Sequence, residues 1–509
     1  MPSSSAVRPN ISANFTHIEI RSIVTGLMLA ILLGALDQTI ISVSLPMMAT
    51  DLQGVEMLAW VVSGYLIAVA VATPIYGKLG DLYGRRLILS SAIGIFLVAS
   101  IACAMAPTMP FLVGARILQG LGGGGLISVA QAIIADVVAP RDRGRYQAYI
   151  SGAFAVASVS GPVLGGMLTA YLSWRWIFWI NLPLGLAALL ISRRALARLP
   201  VPHIKRPVDY LGAALLTAGL TSLLTAITRA GQGAPWLDGS NMWMFGITLI
   251  SLGTFIWHER RTAEPIVPLG LFRIKTVSIS CAILFIAFIQ VVSLTVLIPL
   301  QLQMLTPLGA DGAALRLLPL SLSIPLGAYI GGKLMTRWGK FKNIQLAGTI
   351  LVPVGVLLLA MVDPQAAVSM SLCMILIGAG VGLQLPASTV AIQNAVPHRH
   401  VGIATGVSAF CRSLGAAIGI AALMAFLLTS LHSGADSVGA ALSGADVIKT
   451  LVGVADIAVD NSIKAGLADS AQHAFQKVFM VTALVAMVSS VLAVLIDDEP
   501  LHERAPELD

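Results

Sequence analysis

Long apolar stretches separated by short polar turns set the pattern of this chain. A helix crossing a hydrocarbon layer of about 30 Å needs about 20 mostly apolar residues. Fourteen such runs occur, at 22–45, 58–77, 87–105, 111–135, 147–171, 176–192, 209–227, 242–257, 277–303, 316–334, 344–362, 368–395, 402–430 and 475–496. The pattern predicts an all-α membrane protein with fourteen transmembrane helices. The run at 22–45 is too long for a signal peptide, and the polar stretch before it has no apolar core of its own. Residues 1–21 and 497–509 are therefore expected to be cytoplasmic tails, and the sequons at Asn10 and Asn14 chance matches. The segment 431–474, rich in Gly, Ala, Ser and Asp, is expected to form one long, mobile external loop.

Composition supports the membrane reading. Of 509 residues, 57% are hydrophobic and 11% charged, against about 25% charged in soluble domains. A single soluble core stops growing near ~250–300 residues, so lipid is the solvent that accepts this surface. The net charge of +7 does not imply nucleic acid, which needs a basic patch on one wet face. The basic residues fall instead in short loops. With the N-terminus inside, 23 of the 31 Lys and Arg residues lie on the cytoplasmic side and five outside (Arg175, Arg229, Arg316, Lys449, Lys464). Arg116, Arg412 and Lys477 lie in or at the edge of runs. That asymmetry is the positive-inside pattern, and one missed or added span would invert every later loop. The four cysteines, Cys103, Cys281, Cys373 and Cys411, all sit in apolar runs, which offers neither a disulfide framework nor a zinc site.

An internal repeat organises the chain. Gly77 to Arg85 reads GKLGDLYGR and Gly332 to Lys340 reads GKLMTRWGK, so Gly, Lys, Leu, Gly and a basic residue recur at one spacing. Such repeats are common in secondary transporters. The copies sit eight runs apart, which fits a six-helix bundle at 22–192, a two-helix insert at 209–257 and a second six-helix bundle at 277–496.

Two nucleotide-like motifs carry nothing. Gly120, Gly122 and Gly125 satisfy GxGxxG but lie inside an apolar run with no preceding strand. Gly327 to Lys333 mimics a phosphate loop, but Leu334 stands where a Ser or Thr must bind magnesium. Transport, with no nucleotide site, would draw on an ion gradient or the substrate's own. Asp37 is the one carboxylate well inside an apolar run. A charge at that depth costs at least ~2.5–3.5 kcal/mol. Arg116 lies at similar depth in its own run, so the two could pair, either as a static ion pair or as a protonatable switch. Asp81, among Lys78, Arg85 and Arg86, is placed to gain ~0.3–1 kcal/mol from a neighbouring helix N-terminus, and Asp136 is a candidate partner for Arg85. Gly161, Pro162, Gly165 and Gly166 allow close helix approach and a bend, as ordinary membrane packing also does. No His lies deep in a run, no catalytic grouping appears, and no metal site or cofactor is expected.

Together these segments resemble the major facilitator superfamily and, within it, the 14-helix drug:proton antiporter family, over nearly the whole chain. LDQTIISVSLP (Leu36 to Pro46) resembles that family's first-helix signature, with Ser42 where Asn is usual. GKLGDLYGRR (Gly77 to Arg86) resembles the superfamily's loop motif, and RILQGLGGG (Arg116 to Gly124) a motif linked to proton transfer. GPVLGG (Gly161 to Gly166) resembles the antiporter motif, with Ala157 departing from a frequent Gly. WRWIFWINLPLG (Trp174 to Gly185) and PLQLQ (Pro299 to Gln303, with Gln301 where Tyr is usual) are similar to two further signatures. The resemblance implies two bundles around a central cavity, alternating access, and proton-driven export of amphipathic drugs, dyes or biocides across a bacterial inner membrane, with the proton gradient as the driving force. It assigns proton coupling to Asp37 and Arg116, and a conformational switch to Gly77, Asp81, Gly84, Arg85, Arg86 and Asp136. Candidate cavity residues are Gln38, Thr39, Gln119, Gln290, Gln301, Gln303, Gln384 and Arg412, with Gln393 nearby. The second half holds no buried acid, which weakens a dicationic substrate and leaves neutral or anionic compounds open. Proton-coupled uptake and export of one endogenous metabolite are the alternatives; a receptor or channel is disfavoured by the absence of a soluble signalling domain. A periplasmic adaptor protein is not legible from the sequence.

Overall fold

A computed structural model describes residues 17–52, 57–138, 143–198, 209–231, 234–262, 265–397, 401–438, 442–452, 461–498 and 500. The helices are, in order, α1 (His17–Leu52), α2 (Leu58–Tyr83), α3 (Arg85–Ala104), α4 (Met109–Val137), α5 (Arg143–Tyr171), α6 (Trp176–Trp179), α7 (Asn181–Ala195), α8 (Tyr210–Gly231), α9 (Gly239–Glu259), α10 (Lys275–Leu305), α11 (Ala310–Arg316), α12 (Leu318–Trp338), α13 (Lys342–Met361), α14 (Ala367–Asn394), α15 (Val401–Ser437), α16 (Gly444–Val452) and α17 (Asn461–Val494). Among the described residues there is no strand, only an isolated bridge between Lys340 and Pro500.

Every one of the fourteen apolar runs falls on helix, with α6 and α7 forming one span across a break at Ile180. Twelve of these helices, in the described residues, are long and apolar enough to cross a membrane. α5 and α12 coincide with runs 147–171 and 316–334 but are not among the twelve. Gly, Ser, Pro and Lys333 dilute the apolar content of α12. The expected count of fourteen is thus not confirmed. The loop expected at 431–474 is also corrected: 431–437 continues α15, 444–452 is α16, and 461–474 opens α17. α15 has 37 residues and α17 has 34, or about 50–55 Å at 1.5 Å per residue, so both project beyond a ~30 Å hydrocarbon layer. Small and polar residues hide the extensions from a hydropathy reading; helix continues because few breakers interrupt them.

Each copy of the sequence repeat contains one glycine with positive φ. Gly84 (φ 91°) and Gly339 (φ 65°), the last glycines of the two copies, are the glycines with positive φ among the described residues, although their ψ values differ, 138° against 19°. Gly84 alone separates α2 from α3, a reversal that side-chain-bearing residues rarely adopt.

Helices α1–α7 pack mainly on one another and α10–α17 likewise, while α8 pairs with α9 and lies against α2 and α15. Between these groups α15 packs on α2 and α4, and α5 on α12 and α14. The α2–α15 crossing is close: a Cβ on Gly77 would sit 3.3 Å from the Cα of Gly406. The GxGxxG run also has a packing role. A Cβ on Gly120 would lie 2.5 Å from the Tyr65 carbonyl of α2, and one on Gly122 would lie 2.6 Å from the Phe96 nitrogen of α3. One apolar cluster joins the two helix groups at the α2–α15 crossing, with Val71, Ala135, Leu216, Phe255, Val277, Ile392 and Ala404 among its members.

Candidate proton-coupling and switch sites

Asp37 lies in α1 with 0% of its surface exposed, and Arg116 in α4 with 2%. Neither can rely on water, so each must be paired within the protein. Arg116 Nη1 donates to Asp37 Oδ2 at 2.6 Å and to Gln119 Oε1 at 2.6 Å. The other carboxylate oxygen, Oδ1, accepts from Gln119 Nε2 and Asn181 Nδ2, both at 2.9 Å. Asn181 Nδ2 also donates to Ser100 Oγ at 3.0 Å, and that hydroxyl donates to the Phe178 carbonyl at 2.9 Å. Arg116 Nε donates to the Val61 carbonyl at 3.3 Å, and the guanidinium lies 4.1 Å from the Tyr65 ring centroid. One carboxylate thereby ties α1, α4 and α7 directly, with α2 and α3 one contact further out. Three donors converge on its two oxygens, which as a carboxylate only accept.

The expected pairing of Asp37 with Arg116 is therefore present, and Gln119 joins it. Asn181, Ser100 and Tyr65 were not expected. Asn181 stands in the WRWIFWINLPLG run, and a polar amide there was the available signal.

A second cluster sits where α2 ends and α3 begins. Arg85 Nη2 donates to Asp81 Oδ1 at 2.6 Å, and Arg85 Nε to Asp136 Oδ2 at 3.0 Å. Asp136 is near the end of α4. A Cβ on Gly402, in the first turn of α15, would meet Asp81 Oδ1 at 2.6 Å and collide with Arg85 Nη2. The first turn of α15 thus lies directly over the ion pair, where its free N–H groups favour a carboxylate. Arg86 is half-buried beside this cluster.

The other candidates scatter. Thr39 donates to the Ala157 carbonyl at 2.8 Å and fills the notch left by Gly161, while a Cβ on Gly165 would lie 2.5 Å from the Ile40 carbonyl. The antiporter-like glycines therefore hold α1 tight against α5; Gly166 is half-buried, and the Pro162 side chain lies outside the described residues. Gln38, adjacent to Thr39 in α1, is half-buried. Gln290 is buried and donates to the Thr482 carbonyl at 3.2 Å. Gln301 and Gln384 are buried with unpartnered Oε1 atoms, Gln303 is half-buried, and Gln393 Nε2 donates to Thr405 Oγ1 at 3.0 Å. Arg412 donates through Nη2 to Gln131 Oε1 of α4 and lies 5.7 Å from the Phe288 ring centroid of α10.

At the end of α1, Asp51 Oδ2 accepts from Arg175 Nη1 at 2.6 Å and Trp174 Nε1 at 2.9 Å. The Arg175 and Trp174 hydrogen bonds hold the Asp51 carboxyl below its usual value. The WRW segment is thus a clasp between α1 and the chain entering α6.

Residues 27–420 match the Major Facilitator Superfamily. An uncharacterized MFS-type transporter of Mycobacterium tuberculosis is 32% identical over 96% of this chain and 71% of its own length. The multidrug transporter protein MdtP of Bacillus subtilis is 33% identical over 80% of this chain and 75% of its own. The proton:xylose symporter XylE shares the fold at a TM-score of 0.62 and 14% identity, covering 96% of this chain and 98% of that one. The chain belongs to the Major Facilitator Superfamily: it is a multi-pass membrane transporter and not an enzyme.

Proposed function

We propose that this transporter is a proton-coupled antiporter that exports small amphipathic compounds, with Asp37 as the proton carrier. The observation that supports it most is the fully buried Asp37 carboxylate, held at once by Arg116, Gln119 and Asn181. Protonation would replace an acceptor-only group by one that also donates, and would leave Arg116 without its counter-charge. Arg116 would then be freed from α1 while still bonded to the Val61 carbonyl of α2. α2 and α4 are packed backbone to backbone at Gly120, so they would shift as one unit. The same two helices carry Asp81 and Asp136, about 30 Å further along α4 at 1.5 Å per residue. Breaking the Asp37 site would in this way bias the Asp81–Arg85–Asp136 cluster under α15, opening one side as the other closes. Among relatives, the multidrug transporters of Bacillus subtilis support a drug-like substrate.

In this proposal α5 and α12 also cross the bilayer, giving fourteen spans, two six-helix bundles and an α8–α9 insert, with both termini in the cytoplasm of a bacterium. The test is resistance profiling of an overexpressing strain over a diverse compound panel, followed by efflux assays with and without nigericin. Raised resistance that vanishes when the pH gradient is collapsed is expected. Increased accumulation, or efflux indifferent to nigericin, would contradict export by proton exchange.

A further inference from the structure

Arg412 lies eleven residues into α15, about 16 Å from its start by helical rise and so about halfway through a ~30 Å hydrocarbon layer. Its guanidinium faces inward, between Gln131 of α4 and Phe288 of α10. It bridges the two helix groups. Unlike Arg116, it has no carboxylate within ion-pair distance among the described residues. Asp37, the buried acid, is already engaged by Arg116, Gln119 and Asn181. The amide of Gln131 is fully buried; its Oε1 is taken by Arg412, which fixes the orientation of the amide, and its Nε2 has no partner. An uncompensated cation and an orphan N–H donor therefore stand side by side, where a charge is costly and a missing acceptor adds to the cost.

We propose that Arg412 and Gln131 form the binding subsite for the acid group of an anionic amphiphile, a carboxylate on an apolar body, which is the substrate class of this transporter. Arg presents paired donors to a carboxylate, the Gln131 N–H supplies a further one, and Phe288 offers an apolar wall. The proposal rests on the export reading and narrows it. Because Gln131 and Arg116 share α4, fifteen residues apart, occupancy of this subsite and of the Asp37 site would act on one helix.

The test is equilibrium binding to the purified protein in nanodiscs of zwitterionic lipid, with no gradient. The probes are 11-(dansylamino)undecanoic acid, its methyl ester and its trimethylammonium analogue. The wild type should bind the acid about tenfold or more tighter than the ester, and the trimethylammonium probe weakest. Arg412→Gln should abolish that preference, Arg412→Lys retain part of it, and Gln131→Leu reduce it. A preference below tenfold, or one that survives Arg412→Gln, would overturn the proposal. Loss of acid binding in discs enriched in phosphatidylglycerol would assign the subsite to lipid headgroups and overturn it also. Failure of the export reading would appear elsewhere, in gradient-driven efflux, so the two can fail separately.

Discussion

At Asp37 one buried carboxylate accepts three hydrogen bonds, and its removal leaves Arg116 a buried cation without an anion. Breaking such a pair from one side costs on the order of 3–5 kcal/mol, whereas neutralising both sides costs far less. Asp37→Asn and Arg116→Gln should each lower the melting temperature of the detergent-purified protein, and the double variant should regain most of the loss. A double variant that loses the sum of both would contradict the pairing. Gly402 supports a second expectation. Its missing side chain leaves room for Arg85 and Asp81 against the first turn of α15, so Gly402→Ala should loosen that closure. Cys placed on the α2–α15 crossing should then label faster in the variant than in the parent; equal rates would contradict the closure. Asp37 and Arg116 were legible in the sequence because a lone charge in an apolar run stands out; Gln119, expected in the cavity, instead bonds both of them. Asn181, Ser100 and Gln131 were not, since neutral polar residues are ordinary in membrane helices and only the tertiary fold tells which of them meet a charge.

Among the elements, α4 depends on glycine. A Cβ on Gly122 would stand 2.6 Å from the Phe96 nitrogen, and one on Gly124 2.8 Å from the Val69 carbonyl. Both neighbours are backbone that cannot step aside, so Gly122→Val or Gly124→Val should destabilise by about 1–3 kcal/mol, the usual cost of overpacking. Unchanged thermal stability would contradict this packing. The Asp51 clasp gives a pH dependence. Its folded-state carboxyl is held below the unfolded value of about 3.9, so its contribution is fully present above that value and is lost as pH falls through the lowered one. Asp51→Asn should therefore melt slightly below wild type at neutral pH, and the difference should close only in strong acid. The gap is small because Asp51 is half exposed. Element positions were legible from hydropathy; the lengths of α15 and α17 were not, because polar helix outside the hydrocarbon carries no apolar signature.

For the molecule as a whole, the repeat at Gly77 and Gly332 suggested two related halves; its recurring glycines Gly84 and Gly339 both have positive φ but differ in ψ, 138° against 19°. The side of the membrane on which each loop lies is testable by thiol labelling in a cysteine-free background. Cys at Ser437 should react with an impermeant reagent added outside, and Cys at Arg194 should not; the reverse pattern would overturn the proposed topology. The central claim is that Asp37 carries the exchanged proton, and proton release from the purified protein on adding substrate tests it most directly. In lightly buffered detergent solution, wild-type protein should release protons on substrate addition, and Asp37→Asn should bind substrate without releasing them. Release from the Asn variant equal to that of the wild type would make Asp37 a structural anchor and contradict the account.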